Sequence, residues 1–416
     1  MLRVRDALLS CFAEDSMDLK RLKILCFDGC PEIPGLRSQC WKFLLNYLPI
    51  KKDKREDCLT SCRKEYAAYV KEFVIESSSS ESSDHPLSST PDGDWINFFN
   101  DNEVLLQINK DCRRLCPDFD FFHRDTEYPC NKLFGDGVPV GVLRRRVETS
   151  FLQSQAVYHN LVGVTNMVQT PLGDSFHSCK ALVSGLDNSF LSRSAAYTIS
   201  CSSSANGDEA SVRRNADGEP HWEVIQRILF VYYKTHVAQR YVQGMNEVIA
   251  PIYYLFATDP SDQCRRHAEA DTFFCFNNLM TEIYPNFVRK LDSGRFPGIG
   301  GQLRLLMSLL VRFDRILSDR LQKIGLQVEH YAFRWLSLLL AREFYLPDVI
   351  RLWDTLFSDE KRFAMLPFVC CAMLVLIRDQ LMVADFPTAV HLVQNYPPTI
   401  PLAAILSTAK SFYRKS

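Results

Sequence analysis

Two short polar strings stand out in an otherwise apolar, helix-patterned chain of 416 residues. The first runs Ile108-Asn-Lys-Asp111-Cys-Arg-Arg114 and the second Tyr241-Val-Gln243-Gly244-Met-Asn246. One offers an arginine with a carboxylate three residues earlier; the other offers an uncharged amide beside a glycine. No His–Ser, His–Cys or paired-carboxylate arrangement competes with them. A guanidinium is always charged and presents a planar fork of donors to phosphoryl oxygens. An amide carries both a donor and an acceptor, which is what orienting a water molecule requires. The chain has no nucleotide-binding loop of its own. Gly298-Ile-Gly300-Gly301 lacks the Lys-Ser/Thr ending and the preceding strand of a phosphate loop, and reads as a turn before the next helix. Arginine plus glutamine without a nucleotide site suits a chain that completes the phosphate chemistry of another protein. Spacing by itself leaves a plainer reading open. Asp111 and Arg114 at i and i+3 of a helix also make an ordinary surface ion pair, worth at most ~1 kcal/mol. Gln243 beside Gly244 also makes a turn or capping residue.

The elements that must position these strings read as helices. Trp222, Ile225, Leu229 and Tyr232 form one apolar stripe that leads toward the second string, and Leu303, Leu306, Leu310 and Phe313 repeat the pattern. Tyr331 to Ala341 is apolar nearly all round, as a helix buried on every side would be. Phe363 to Ile377 is the most apolar stretch, but it is shorter than the ~20 residues a membrane span needs, so it reads as a buried helix. Sustained period-2 alternation is missing, and the fold class expected is all-α. Two segments break the regularity. Residues 77–94 are rich in Ser, Asp and Pro with little to bury, and about 169–219 carry scattered Ser, Gly and Asn; both are expected as flexible inserts. Between them, Gly141 to Val168 reads as helical through Leu143, Val147, Leu152 and Val157.

Composition narrows the function classes. Forty-eight basic residues against forty-nine acidic ones leave a net charge of −1, which gives no global reason to expect nucleic-acid binding. Fifteen cysteines include three C-x-x-x-C spacings, Cys26/Cys30, Cys58/Cys62 and Cys112/Cys116, but no paired C-x-x-C and no H-x-x-x-H. That argues against zinc and for buried reduced thiols. The first eighteen residues lack the apolar core of a signal peptide, so a cytosolic protein is expected. Lys51-Lys-Asp-Lys-Arg55 mixes acid into base and reads as a solvated loop.

The two polar strings also resemble signature motifs, I-x-x-D-x-x-R and Y-x-Q-G-M-N, of the TBC domain, the GTPase-activating module for Rab-type small GTPases. A third signature, R-x-x-x-W, is matched by Arg37-Ser-Gln-Cys-Trp41 after Ile33-Pro34-Gly35. Similarity continues through Ala270-Asp-Thr-Phe-Phe-Cys275, Phe333-Arg-Trp335, Arg342-Glu343-Phe344 and Leu352-Trp353-Asp354, and so covers most of residues 22–398. It implies a V-shaped domain of two helical halves over residues 32–398, with a helical extension at 1–31 and a tail at 399–416. Related domains leave only a few tens of residues between the arginine and glutamine motifs. Here Arg114 and Gln243 are 129 positions apart, so the excess must loop out.

The resemblance also implies roles. Arg114 would enter the GTPase active site and Gln243 would replace the water-orienting glutamine of the GTPase. Asp111 would hold the Arg114 side chain poised, and Arg113 fits the motif one residue too early. Ile108 and Trp41 would be core, while Tyr241 and Met245 would fix the loop and Asn246 would hydrogen-bond it. Gly244 would permit close approach to the partner, and Arg37 would pair with a carboxylate. One departure is Leu115-Cys116-Pro117, where many members have Thr-x-Pro. The partner implied is a GTP-bound Rab; GTP and magnesium belong to it, no cofactor is expected on this chain, and membranes are met only through the lipidated partner. Two alternatives remain, a non-catalytic Rab-binding scaffold and a helical adaptor acting through its inserts. Retention of both Arg114 and Gln243 speaks against the first, and assaying an insert-deleted chain separates the second.

Overall fold

The computed structural model describes residues 2–76, 94–135, 138–150, 218–287 and 298–416. The described elements are helices, with two isolated bridges, Ser16 with Lys51 and Asp125 with Pro220, and no strand among the described residues. One compact unit takes in 1–147 and 219–416; residues 148–218 form the other, nearly all of it beyond the described residues. The segments expected as inserts, 77–94 and about 169–219, likewise fall almost wholly outside them.

The His221–Thr235 helix is the axis of the large unit. The stripe Trp222, Ile225, Leu229 and Tyr232 is buried as its spacing predicts, but so is every other residue from His221 to Tyr232. The amphipathic expectation is therefore corrected: this helix is enclosed on all sides, charges included. Arg227 makes that possible. Its Nε and a terminal nitrogen each donate to Glu269 at 2.7 Å, and it pairs with Glu219 on its other side. The Tyr66 hydroxyl and the Cys130 amide complete the two carboxylates at 2.7 Å each. A buried cation so matched is tolerated, whereas loss of one partner costs about 3–5 kcal/mol. The helix packs on Asp94–Cys112, Met245–Ala257 and Ala268–Ile283, the elements that carry or flank both polar strings.

A second group of helices joins Ile299–Phe313, Leu346–Ser358, Leu366–Leu376 and Leu402–Lys415. Of the apolar run at 363–377, Leu366–Leu376 is helical and buried from Leu366 to Leu374, with Pro367 in the first turn, where its missing N–H is harmless; Phe363 precedes it in left-handed backbone and Leu376 is exposed. No helix among the described residues is long and apolar enough to cross a membrane. The 399–416 segment carries the Leu402–Lys415 helix, whose Leu402, Ile405, Leu406 and Ala409 are buried in the core. The 1–31 segment contributes Leu8, Cys11, Leu22 and Cys26 to that core. Asp18 caps the Leu19–Cys26 helix by accepting from the Lys20 and Arg21 amides at 2.9 and 3.1 Å.

Three local expectations change. Tyr331–Ala341 is not one helix. The Ala332–Ser337 helix stops, and Leu339 and Leu340 take left-handed backbone at φ 50 and 62. Both leucine side chains are buried, and the Trp353 indole donates to the Leu339 carbonyl at 3.0 Å. Tertiary burial thus overrides a strong helical pattern. Gly300 and Gly301 lie inside the Ile299–Phe313 helix rather than in a turn before it. Residues 142–150 are helical, with Leu143 and Val147 buried, whereas Leu152 and Val157 lie outside the described residues. The described cysteines are all free thiols. Cys26, Cys30 and Cys40 meet in the core, where mutual hydrogen bonding and burial leave all three thiols raised. Lys51–Lys54 are exposed, as the mixed charge predicts, but the Lys51–Arg55 stretch is not a loop: Lys52–Lys54 form a 3₁₀ turn and Arg55 opens the Arg55–Val70 helix with its guanidinium 4.9 Å from the Phe43 ring centroid.

Candidate functional site

The arginine string ends a helix. Asp94–Cys112 stops at Cys112, so Ile108 and Asp111 are on its last turns and Arg114 is in the turn that follows. Ile108 and Cys112 are fully buried and hold the helix end to the core. Leu115, the departure from the Thr-x-Pro that the resemblance implies, is also fully buried. Its apolar side chain packs into the core and anchors the turn. Cys116 follows at φ 41, a left-handed residue that closes the turn, and the Phe119 amide donates to its carbonyl at 2.9 Å. The glutamine string begins the next element. Gly244, at φ 104, is the N-cap of Met245–Ala257, and Gln243 sits just before it.

Asp111 joins the two strings. Its carboxylate accepts from the Tyr241 hydroxyl at 2.7 Å and from Gln107 Nε2 at 3.0 and 3.1 Å. Its backbone carbonyl accepts from Asn246 Nδ2 at 3.2 Å. One residue of the first string therefore receives hydrogen bonds from two residues of the second, although 130 positions separate Asp111 from Tyr241. Burial raises the Tyr241 phenol, and the nearby carboxylates add to the shift, so it keeps the proton it donates. Met245 is fully buried and accepts from the Val242 amide through its sulfur at 3.4 Å. The turn ahead of Tyr241 is tied down as well. The Tyr232 hydroxyl donates to Gln239 Oε1 at 2.6 Å, and the Tyr284 hydroxyl donates to the Gln239 carbonyl.

What remains unheld is the pair of groups suited to chemistry. Arg114 and Gln243 are both exposed, and neither side chain has a hydrogen-bond partner among the described residues. This corrects the expected link between Asp111 and Arg114. The helix ends before i+3 geometry is reached, and Tyr241 and Gln107 take the Asp111 carboxylate. Asp111 fixes the backbone from which Arg114 projects, not its guanidinium. Arg113 points elsewhere, over the Trp222 ring at 4.9 Å. The close approach at Gly244 is internal in this chain. A Cβ built there would lie 2.8 Å from a Leu338 methyl carbon, so Leu338, which leads into the left-handed Leu339 and Leu340, seats the glutamine loop.

Arg37 and Trp41 share no partner with this cluster among the described residues and converge on Asp354. Arg37 Nε donates to Asp354 Oδ2 at 3.2 Å, Trp41 Nε1 to Oδ1 at 2.8 Å, and the Cys30 amide to Oδ2 at 2.9 Å. Arg37 also reaches Glu32 at 2.8 Å and the Cys30 carbonyl at 3.1 Å. Trp41 is fully buried against Phe357, with ring centroids 5.0 Å apart. The expected carboxylate partner of Arg37 is thus the aspartate of the Leu352-Trp353-Asp354 string. Two residues of the cluster were missed from sequence. Gln107 was legible, since Gln and Asp at i, i+4 on a helix are neighbours. Glu247 was not: its carboxylate is mostly buried 3.7 Å from Arg342, and only folding brings those two together.

This fold and these motifs define the TBC class, and the chain belongs to the TBC domain family. A family model described as the Rab-GTPase-TBC domain matches residues 209–382, which include the glutamine string and begin beyond the arginine string. Human TBC1 domain family member 13 is 44% identical over 408 residues, covering 95% of this chain and 94% of that protein. The fission yeast (Schizosaccharomyces pombe) TBC domain-containing protein C1952.17c is 30% identical over 92% of this chain and 68% of its own length. Among solved structures, the Ypt/Rab-GAP domain of Gyp1p is similar in fold, with a TM-score of 0.62 at 22% identity over 100% of this chain and 97% of that one.

Proposed function

We propose that this chain is a GTPase-activating protein for a Rab-family small GTPase, supplying Arg114 and Gln243 in trans. The observation that carries this reading is the shared anchorage of the two strings at Asp111, with Arg114 and Gln243 left exposed beside it. Arg114 neutralises charge that develops on the transferring phosphoryl group, and Gln243 orients the attacking water. GTP and magnesium are carried by the GTPase, so this chain needs no cofactor. Shortening the life of the GTP-bound GTPase places the protein in the control of vesicle traffic, acting from the cytosol on membranes where the lipidated partner resides.

The test is phosphate release from a panel of GTP-loaded Rabs, alone and with this protein. For the responsive GTPase, Arg114→Ala should lower stimulated hydrolysis by ~10³, equivalent to about 4 kcal/mol of transition-state stabilisation. Gln243→Ala and Gln243→Glu should both abolish stimulation of a GTPase whose own catalytic glutamine has been changed to leucine. Binding without stimulation of any Rab would leave a scaffold in place of an activator. Full activity of the Gln243 variants would leave a mechanism that uses the arginine alone.

A further inference from the structure

Arg342 stands on the same cluster, and nothing in the two-residue mechanism uses it. It lies in the turn that follows the Ala332–Ser337 helix, and its neighbours are firmly held. Leu338, Leu339 and Leu340 are buried, the last two in left-handed backbone. Glu343 accepts from Arg334 Nε at 2.8 Å and from an Arg334 terminal nitrogen at 2.9 Å. Strained backbone persists only where the surroundings over-determine it, and it concentrates at working sites. Between these anchors the Arg342 side chain is 55% exposed. Among the described residues its ion-pair partner is Glu247, with Nε and Oε1 3.7 Å apart and no hydrogen bond between them, while the Glu343 carboxylate that Arg334 holds also lies within its electrostatic reach.

The position matters because both strings are adjacent. Glu247 is one residue past Asn246 on the glutamine helix, and Leu338 of the same turn packs on Gly244. Cys116, two residues past Arg114, lies within electrostatic reach of both Glu247 and Arg342. Arg342 thus sits where the arginine turn, the glutamine helix and the strained turn meet. A guanidinium on a rigid base, more than half in water and with no hydrogen-bond acceptor among the described residues, is suited to a planar anion brought by a second protein.

We infer that Arg342 is a docking residue of this site, which takes an acidic side chain of the GTPase seated over the two strings. This rests on the activating function proposed above. Because the contact is with the protein surface and not with the reacting phosphoryl group, it contributes equally to ground and transition states. It should therefore appear in KM and leave kcat in place.

The experiment uses the full chain, the responsive GTPase in excess and stopped-flow phosphate release, with thermal melts to establish that each variant is folded. Arg342→Ala should raise KM about tenfold with kcat within about twofold, and the difference should shrink as salt screens the charge. Arg342→Glu should raise KM further. The pair Arg342→Glu with Glu247→Arg restores the internal ion pair with reversed polarity and should not recover KM. Recovery in that pair would mean that Arg342 only braces Glu247, and the inference would fall. An unchanged KM in Arg342→Ala, or a loss confined to kcat, would overturn it equally. If Arg342→Glu does not fold, the alanine variant and its salt dependence decide the matter. Affinity for the GTPase loaded with a non-hydrolysable GTP analogue is measured in parallel. Should wild type stimulate no GTPase, the activating function fails, while this affinity still reports on Arg342.

Discussion

Removing one oxygen at Tyr241 isolates what the Asp111 junction does. Tyr241→Phe keeps the ring and deletes the hydroxyl that donates to Asp111 Oδ2 at 2.7 Å. A hydrogen bond to a charged acceptor contributes about 1.5–3 kcal/mol. The lower end applies here, because the carboxylate keeps both bonds from Gln107 and is not left bare. Asn246 still donates to the Asp111 carbonyl, so the two strings stay docked and only their alignment loosens. A misplacement of about 1 Å in a catalytic array costs on the order of 10²-fold in rate. Tyr241→Phe should therefore lose about 1.5 kcal/mol in urea unfolding. The kcat of stimulated hydrolysis should fall roughly 10- to 100-fold, with KM for the GTPase within about twofold. Asp111→Ala removes the acceptor for Tyr241 and Gln107 together and should be worse. The double variant should show a coupling of about 1 kcal/mol or more, since the two residues share one bond. A folded Tyr241→Phe protein with the measured loss of stability and an unchanged kcat would refute the reasoning. The junction would then support the fold without setting the geometry of Arg114 and Gln243.

Other outcomes follow from neighbouring geometry. Gly244→Ala puts a side chain on backbone at φ 104 and within 2.8 Å of Leu338; it should cost about 1–3 kcal/mol in unfolding and lower kcat by displacing Gln243. Asp354→Ala orphans the Trp41 indole and takes one carboxylate from Arg37; chemical denaturation should show a loss of about 3–5 kcal/mol, far more than Asp354→Asn. Burial holds the His221 imidazole at about 4, below the ~6.5 of an unfolded histidine. The unfolded chain then takes up a proton that the native chain refuses, so this group destabilises the fold as pH falls from about 6.5 towards 4. His221→Gln should flatten that decline in thermal melts taken across the window, and an identical decline in both proteins would exclude His221 as its source.

Helical character, the burial of most of the 363–377 run, the core positions of Ile108 and Trp41, and the two chemically apt strings were all legible in the residues. Each depends on a local period or on a side chain's own chemistry, and an apolar stripe must be covered whatever covers it. Spacing within a string was a poorer guide. It paired Asp111 with Arg114, but the helix ends at Cys112 and the carboxylate goes to Tyr241, which offers a donor from 130 positions away. The same limit applied at Tyr331–Ala341, where the pattern reads as one helix and the fold forces Leu339 and Leu340 left-handed to fill the core beside Trp353. Asp354 as the common acceptor of Arg37 and Trp41, and Arg342 beside Glu247, are likewise facts of tertiary packing. Sequence determined which groups this protein has available and the helices that carry them. Tertiary structure alone decided which are spent on one another and which are left free, because hydrogen-bond partners are chosen by proximity after folding, and proximity across more than a hundred residues has no local signal.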